Sequence, residues 1–151
     1  MTGYVLRRLA TDADWQAMHA IRRDTLFAPG RHADTVVYDE NHPHDRADGH
    51  VPFLLELDGR PIGVVRLDFH RETAVVRLVG MLTAEQGRGH GRMLDALAVH
   101  EAKRRGVRLL QVNAARTALG FYEKNGWQQQ VWDAEELVGI ASKCVQMVKP
   151  I

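Results

Sequence analysis

The chain has a single cysteine, Cys144, among its 151 residues. A lone thiol can close no internal disulfide and build no cysteine-rich zinc site, which points to the cytoplasm. Long apolar runs are missing too. None approaches the length of a membrane span, and Arg7 and Arg8 interrupt the opening residues where a signal sequence needs a hydrophobic stretch. Nor is there an excess of one charge: the formal balance is +1, which gives no broad footprint for nucleic acid or an anionic membrane, so neither is expected as a partner. Without repeats, heptads, low-complexity tracts or a linker, residues 1–151 read as one domain with room for a hydrophobic core.

Apolar and β-branched residues over 4–9 predict a first strand. Thr11 and Asp12 are cap candidates for a helix carrying Trp15, Met18 and Ile21 on one face and fading near Phe27. Residues 28–50 are polar and turn-rich, too long for a simple connector, and read as a mobile or substrate-facing loop. Residues 52–57 and 62–69 predict a hairpin around Asp58-Gly59, and 73–82 a third strand. Further on, 109–113 predicts a strand, 117–124 a short helix stopped by Asn125-Gly126, and 127–132 and 143–149 two last strands.

Between the third strand and the next helix lies Gln86-Gly87-Arg88-Gly89-His90-Gly91-Arg92, with three glycines in alternation. Glycine loses more backbone entropy on ordering than any other residue, so this spacing suggests tight turning or the close approach of something bulky. A dinucleotide loop needs GxGxxG, but the third position is Leu94 or Arg92 depending on the start. A nucleotide-triphosphate loop needs GxxxxGK followed by Ser or Thr, and these are absent. What remains is Gln86-x-x-Gly89-x-Gly91 opening a helix, where successive N–H groups and the helix dipole suit a pyrophosphate and Arg88, His90 and Arg92 add positive charge.

This motif resembles the acyl-CoA pyrophosphate loop of the GNAT superfamily of N-acyltransferases. One strand further on, Gly120-Phe121-Tyr122-Glu123-Lys124-Asn125-Gly126-Trp127 resembles that family's second landmark, a segment of the FYEKxGF type. The resemblance is clearest over residues 62–132. It implies an α/β (α+β) fold: a mixed, mostly antiparallel sheet of six or seven strands with helices on both faces, split near the strand that feeds the loop. It implies acetyl-CoA as cosubstrate, with Gly80, Met81 and Leu82 offering backbone groups to it along the split and Gly87 to Arg92 cradling its phosphates. Gln86 would steady the loop or touch a phosphate. A bulge is expected near Gly80, whose alternative reading is a small residue relieving crowding. By the same resemblance Tyr122 protonates the departing thiolate. Phe121 and Tyr122, about 100° apart on a helix, cannot both point into one core. Asn113 is a candidate contact to the pantetheine.

An amine must lose a proton to attack, yet no residue stands out as the base. Glu56, Asp68 and His70 near the central strands, and Glu40, His42 and His44 in the long loop, are residues of a kind more often solvated than catalytic. Glu40, His42, Arg66 and Arg77 are the candidate substrate contacts; Arg66 and Arg77 would bind an acidic part of the acceptor or pair with Asp68 and Glu72. His42-x-His44 without a second half is too little for a metal site, and none is expected. The resulting expectation is transfer of an acetyl group from acetyl-CoA to a primary amine of a small molecule or peptide, by direct attack in a ternary complex. The competing reading is an acyl-CoA-binding sensor of the same fold without turnover. Trp127 and Trp132 in the carboxyl-terminal half fit a homodimer and ordinary burial equally well.

Overall fold

Thr11 ends one element and starts the next. Its side chain accepts from the Asp14 N–H while the Asp14 carboxylate accepts from the Thr11 N–H. This capping box fixes α1 (Asp12–Thr25) directly behind β1 (Tyr4–Arg8). Arg7 adds a two-pronged ion pair to Asp14 (2.7 and 2.8 Å), which with the Ala10 N–H holds that carboxyl well below the usual carboxylate range. The computed structural model describes residues 3–27, 37–139 and 141–151. Part of the long polar loop, residues 28–36, therefore lies outside the described residues; the rest contains a 3-10 turn at Pro43–Arg46.

A hairpin follows, β2 (His50–Leu57) and β3 (Arg60–His70), turning through Asp58 (φ +51°) and Gly59 (φ +80°) as an Asp-Gly pair favours. After it come β4 (Thr73–Met81), α2 (His90–Arg104), β5 (Leu109–Ala115), α3 (Leu119–Lys124), β6 (Gln128–Gln129), α4 (Ala134–Val138) and β7 (Cys144–Pro150). Among the described residues seven strands form one sheet in the order β1-β2-β3-β4-β5-β7-β6, with β4 and β5 parallel and every other pair antiparallel. This is the expected mixed α/β (α+β) architecture. No helix of the described residues is long and apolar enough to cross a membrane.

Strand alternation sorts the side chains onto two faces. Phe53, Leu55, Val65, Leu67, Val76, Leu110 and Val112 meet Leu94, Ala98 and Ala102 of α2 in the larger core; Leu54 and Val64 meet Met18 and Ile21 of α1 in the smaller one. One expectation needs correction. The strand predicted over 127–132 shrinks to Gln128–Gln129, because Trp127 is buried with its indole on Asp95 and the Trp132 N–H goes to the Gln146 side chain instead of a ladder. Beyond it stands α4, which the periodicity did not announce.

The bulge expected near Gly80 is present on β4 directly before it: Val64 pairs with Gly80 and Arg66 with Arg77, so Leu78 and Val79 together oppose Val65, and Leu78 takes φ +52°. Gly80 itself makes room. A Cβ there would stand 2.6 Å from Thr25 Oγ1, whose hydroxyl donates to the Ile21 carbonyl. Gly80→Ala is expected to cost ~1–3 kcal/mol by overpacking, and adding Thr25→Ala should return most of it in a double-mutant cycle by chemical denaturation. Additive losses would show that the Thr25 contact is not what excludes a side chain at position 80.

Candidate functional site

The glycine loop is anchored from both sides. Gln86 Nε2 donates to the Met81 carbonyl (3.0 Å), tying the loop back to β4, and Thr83 donates from its N–H and its hydroxyl to Asp24 on α1 (2.9 and 3.0 Å). Glu85 is buried under Arg60 (2.6 Å), which with nearby Arg88 and His90 draws its carboxyl below the ordinary range against the cost of burial. The His90 ring turns inward, with Nδ1 on the Tyr4 hydroxyl and Nε2 3.2 Å from Glu85, so its side chain braces the helix start. Gly87 (φ +77°) and Gly89 (φ +83°) take the left-handed conformation, and a Cβ on either would meet nothing within 4 Å. Among the described residues, no protein acceptor meets the backbone N–H groups from Gly87 to Arg92. Arg88 and Arg92 are exposed beside them.

Beyond this loop the sheet splits. β4 and β5 pair only from Thr73 with Leu109 to Val76 with Val112, although both strands continue. Leu78, two residues past the last pair, carries the bulge. Met81 packs half-buried on the larger core and Leu82 on the smaller. On the α2 face, Tyr122 is buried edge-on against Phe121 and Trp127, while Phe121 is turned outward beside Gly91. The adjacent aromatics thus divide as helix geometry requires. Burial, with Asp95 and Cys144 nearby, pushes the Tyr122 phenol up to about 12.

On the α1 face the split opens onto a chain of ion pairs. Arg22 donates two hydrogen bonds to Asp45 (2.8 and 3.0 Å), Arg66 donates one to Asp45 (3.0 Å) and two to Asp68 (2.7 and 3.0 Å), and Arg77 Nε lies 3.4 Å from Asp68. Burial alone would raise the Asp45 carboxyl, but its two arginines win and lower it. Arg77 then donates to both oxygens of Glu136 on α4 (2.6 and 3.1 Å), and Asn113 Nδ2 donates to the same carboxylate (2.8 Å). Those hydrogen bonds hold Glu136 below the usual range, Arg77 contributing most. Gln146 is buried and saturated: it donates to Asn113 Oδ1 and the Asp133 carbonyl and accepts from the Trp132 and Asp133 N–H groups. His19 is also buried here, hydrogen-bonded to the Tyr38 hydroxyl, and desolvation lowers its imidazole.

The expected acceptor contacts fare unevenly. Arg77 stands at the start of the split, paired with Glu136 and near Asp68, while Arg66 on β3 is buried with Asp45 and Asp68; Glu72 pairs with neither. Glu40 pairs with Arg23 (2.6 Å), and His42 caps the 3-10 turn by accepting from the His44 N–H. Glu56 is held by Arg7. Asn113 is committed to Glu136 and Gln146. Arg22, Asp45, Glu136 and Gln146 were not anticipated. The spacing Asp133-x-x-Glu136 before Leu137-Val138 was the available clue, since it reads as a helix start. Among the described residues no group of three His, Cys, Asp or Glu side chains could hold a metal ion.

Among solved structures the chain is similar to a presumed N-acetyltransferase from Lactobacillus plantarum (24% identity, 98% of each chain covered, TM-score 0.77). It is similar also to the ribosomal-protein-S18-alanine N-acetyltransferase from Escherichia coli (18%, 98% of this chain and 94% of that one, TM-score 0.74). A third is the PaiA N-acetyltransferase from Thermoplasma acidophilum in complex with coenzyme A (14%, 98% and 99%, TM-score 0.71). At these identities the likeness is one of fold. No curated protein matches the sequence. The acetyltransferase (GNAT) family model, however, matches residues 15–127, and with the split sheet and the glycine loop in place the chain belongs to that family.

Proposed function

We propose that this protein transfers an acetyl group from acetyl-CoA to a primary amine by direct attack within a ternary complex. The observation that carries this reading is the run of unpartnered N–H groups from Gly87 to Arg92 at the start of α2, beside the gap between β4 and β5. The first N–H groups of a helix have no intrahelical acceptor, and a diphosphate supplies several at once. The space above Gly87 and Gly89, where a Cβ would meet no protein atom, suits the same occupant.

Bound there, acetyl-CoA supplies an activated acyl group: a C–N bond forms, the C–S bond breaks, one of the two protons shed by the ammonium ends on sulfur and the other reaches solvent. The chain's part is to bind and orient both substrates and to manage those protons. In this reading Tyr122, buried on the α2 face, serves the leaving sulfur, and the α1 face with its ion-pair chain serves the incoming amine, so the two are handled from opposite sides of the sheet. A phenol pushed up to about 12 stays protonated through the neutral range. It is a weaker acid than a thiol of ordinary pKa near 8.5, so it stabilises a departing thiolate by donating a hydrogen bond rather than by complete transfer. Gln86, Glu85 and His90 hold the loop shape from behind.

Three outcomes are expected. Acetyl-CoA should raise the melting temperature where ATP and NAD do not, and Gly89→Ala should weaken acetyl-CoA about tenfold by calorimetry, since a side chain in the left-handed region costs ~1–2 kcal/mol. Unchanged affinity in Gly89→Ala would remove the loop from the binding site. Tyr122→Phe should lower kcat on the order of 100-fold while acetyl-CoA affinity stays within about twofold. Finally, because burial raises the Tyr122 phenol, the kcat profile should show no falling limb below about pH 10; a fall centred near pH 9 would argue against a buried phenol as donor.

A further inference from the structure

We propose that Arg77 recognises the acceptor, that Glu136 holds its place on Arg77 until the acceptor arrives, and that the acceptor is an amine which also carries a carboxylate. The proposal rests on the acyl-transfer reading and names the substrate class it serves. Its basis is position. Val76 and Val112 are the last paired residues of β4 and β5, and the next residue on each strand, Arg77 and Asn113, both reach the Glu136 carboxylate. A carboxylate from another element thus sits across the fork of the split, one residue from the Leu78 bulge.

The three arginines of this face differ in what they can release. Arg22 and Arg66 are buried, and their partners Asp45 and Asp68 sit on the 3-10 turn and on β3 itself. Arg77 is partly open, with 26% of its side chain exposed, and its chief partner comes from α4, a helix of five residues that buries none of them. Withdrawing Glu136 therefore sacrifices little apolar contact. The fork left behind stays aimed, because Arg77 Nε lies 3.4 Å from Asp68 and its guanidinium lies 6.0 Å from the centre of the Trp132 ring.

Charge then selects the replacement. Arg22, Arg66 and Arg77 are balanced by Asp45, Asp68 and Glu136, so removing one carboxylate leaves a half-buried guanidinium short of a partner, which is costly. A substrate carboxylate restores the balance with the same two-pronged geometry; a diamine or a neutral amine cannot. An amino acid gripped by its carboxylate at Arg77 carries its amino group at least two bonds from the carboxyl carbon, on the side of the bulge. Glu136 itself makes a poor base, because both its oxygens are engaged by Arg77.

The test uses the full chain saturated with acetyl-CoA, thiol release as readout, and a panel of amino acids each paired with its carboxamide, plus simple diamines. Wild type should use the acids at least tenfold better in kcat/KM than the amides. Arg77→Met should bring the ratio near one, and Glu136→Gln should lower KM for the acids severalfold while the ratio persists. A merely structural ion pair would instead raise KM for every acceptor in both variants. Equal use of acids and amides, a preference for diamines, or a higher acid KM in Glu136→Gln would overturn the proposal. If no acceptor releases thiol, the acyl-transfer reading is the one that fails, and calorimetry on the CoA-saturated protein still decides the inference: acids must bind and amides must not, with the difference lost in Arg77→Met.

Discussion

The rest of the structure depends on a ladder that stops. β4 and β5 are neighbours over four residues each and then part, although both strands run on. A parallel pair that opens in this way exposes backbone groups that would otherwise satisfy one another, so each side of the opening needs its own restraint. On the β4 side the restraint is the bulge at Leu78 and Val79, with Gly80 seated against Thr25 of α1 immediately after it. On the β5 side it is the antiparallel pairing with β7, reinforced where the Trp132 indole donates to the Val112 carbonyl and Gln146 fixes Asn113. Leu78 at φ +52° is a strained position for a branched side chain and persists because the pairing before and after it leaves no alternative.

The glycine loop obeys a second economy of backbone groups. A helix start normally finds a capping side chain, as Thr11 provides for α1. The start of α2 has Gly89 at that position and no side-chain cap. The loop nevertheless keeps its shape, because Gln86, Glu85 and His90 bind it to β4, Arg60 and β1 from the protein side. The donors left over therefore all belong to the outer surface. Net charge contributes little to attracting an anion here, and the local field comes from the helix end with Arg88 and Arg92.

Legibility followed the range of each signal. The Thr11 cap, the Asp58-Gly59 turn and the glycine loop are written in consecutive residues, and the elements they start or stop stood where the pattern put them. Gly80 was legible as unusual, but whether it marked a bulge or a close approach depends on Thr25, which is remote in sequence. Residues 127–132 carry strand-forming composition, yet the Trp127 N–H goes to the Tyr122 carbonyl and the Trp132 N–H to the Gln146 side chain, so neither is left for a ladder. The ion-pair chain was the least legible part. Arg66 and Arg77 could be singled out as charges on central strands, but Asp45 lies in a polar loop, and the helix-start spacing before Glu136 announces an element without saying what its carboxylate meets.

The two faces of the sheet are also electrostatically unlike, and on the proposed reading that difference bears on how an acceptor is held. Tyr122 sits among Phe121, Trp127 and the larger core, where desolvation keeps it neutral. The opposite face is dense with charge but nearly closed on itself, each arginine matched by a carboxylate. A closed network of this kind offers an arriving ammonium no spare counter-charge, so an acceptor gains little from its positive end. It gains from whatever can enter the network without unbalancing it. On the proposed reading, binding strength and proton removal would thereby be separated: the acceptor would be held through the remainder of its molecule rather than through its amino group.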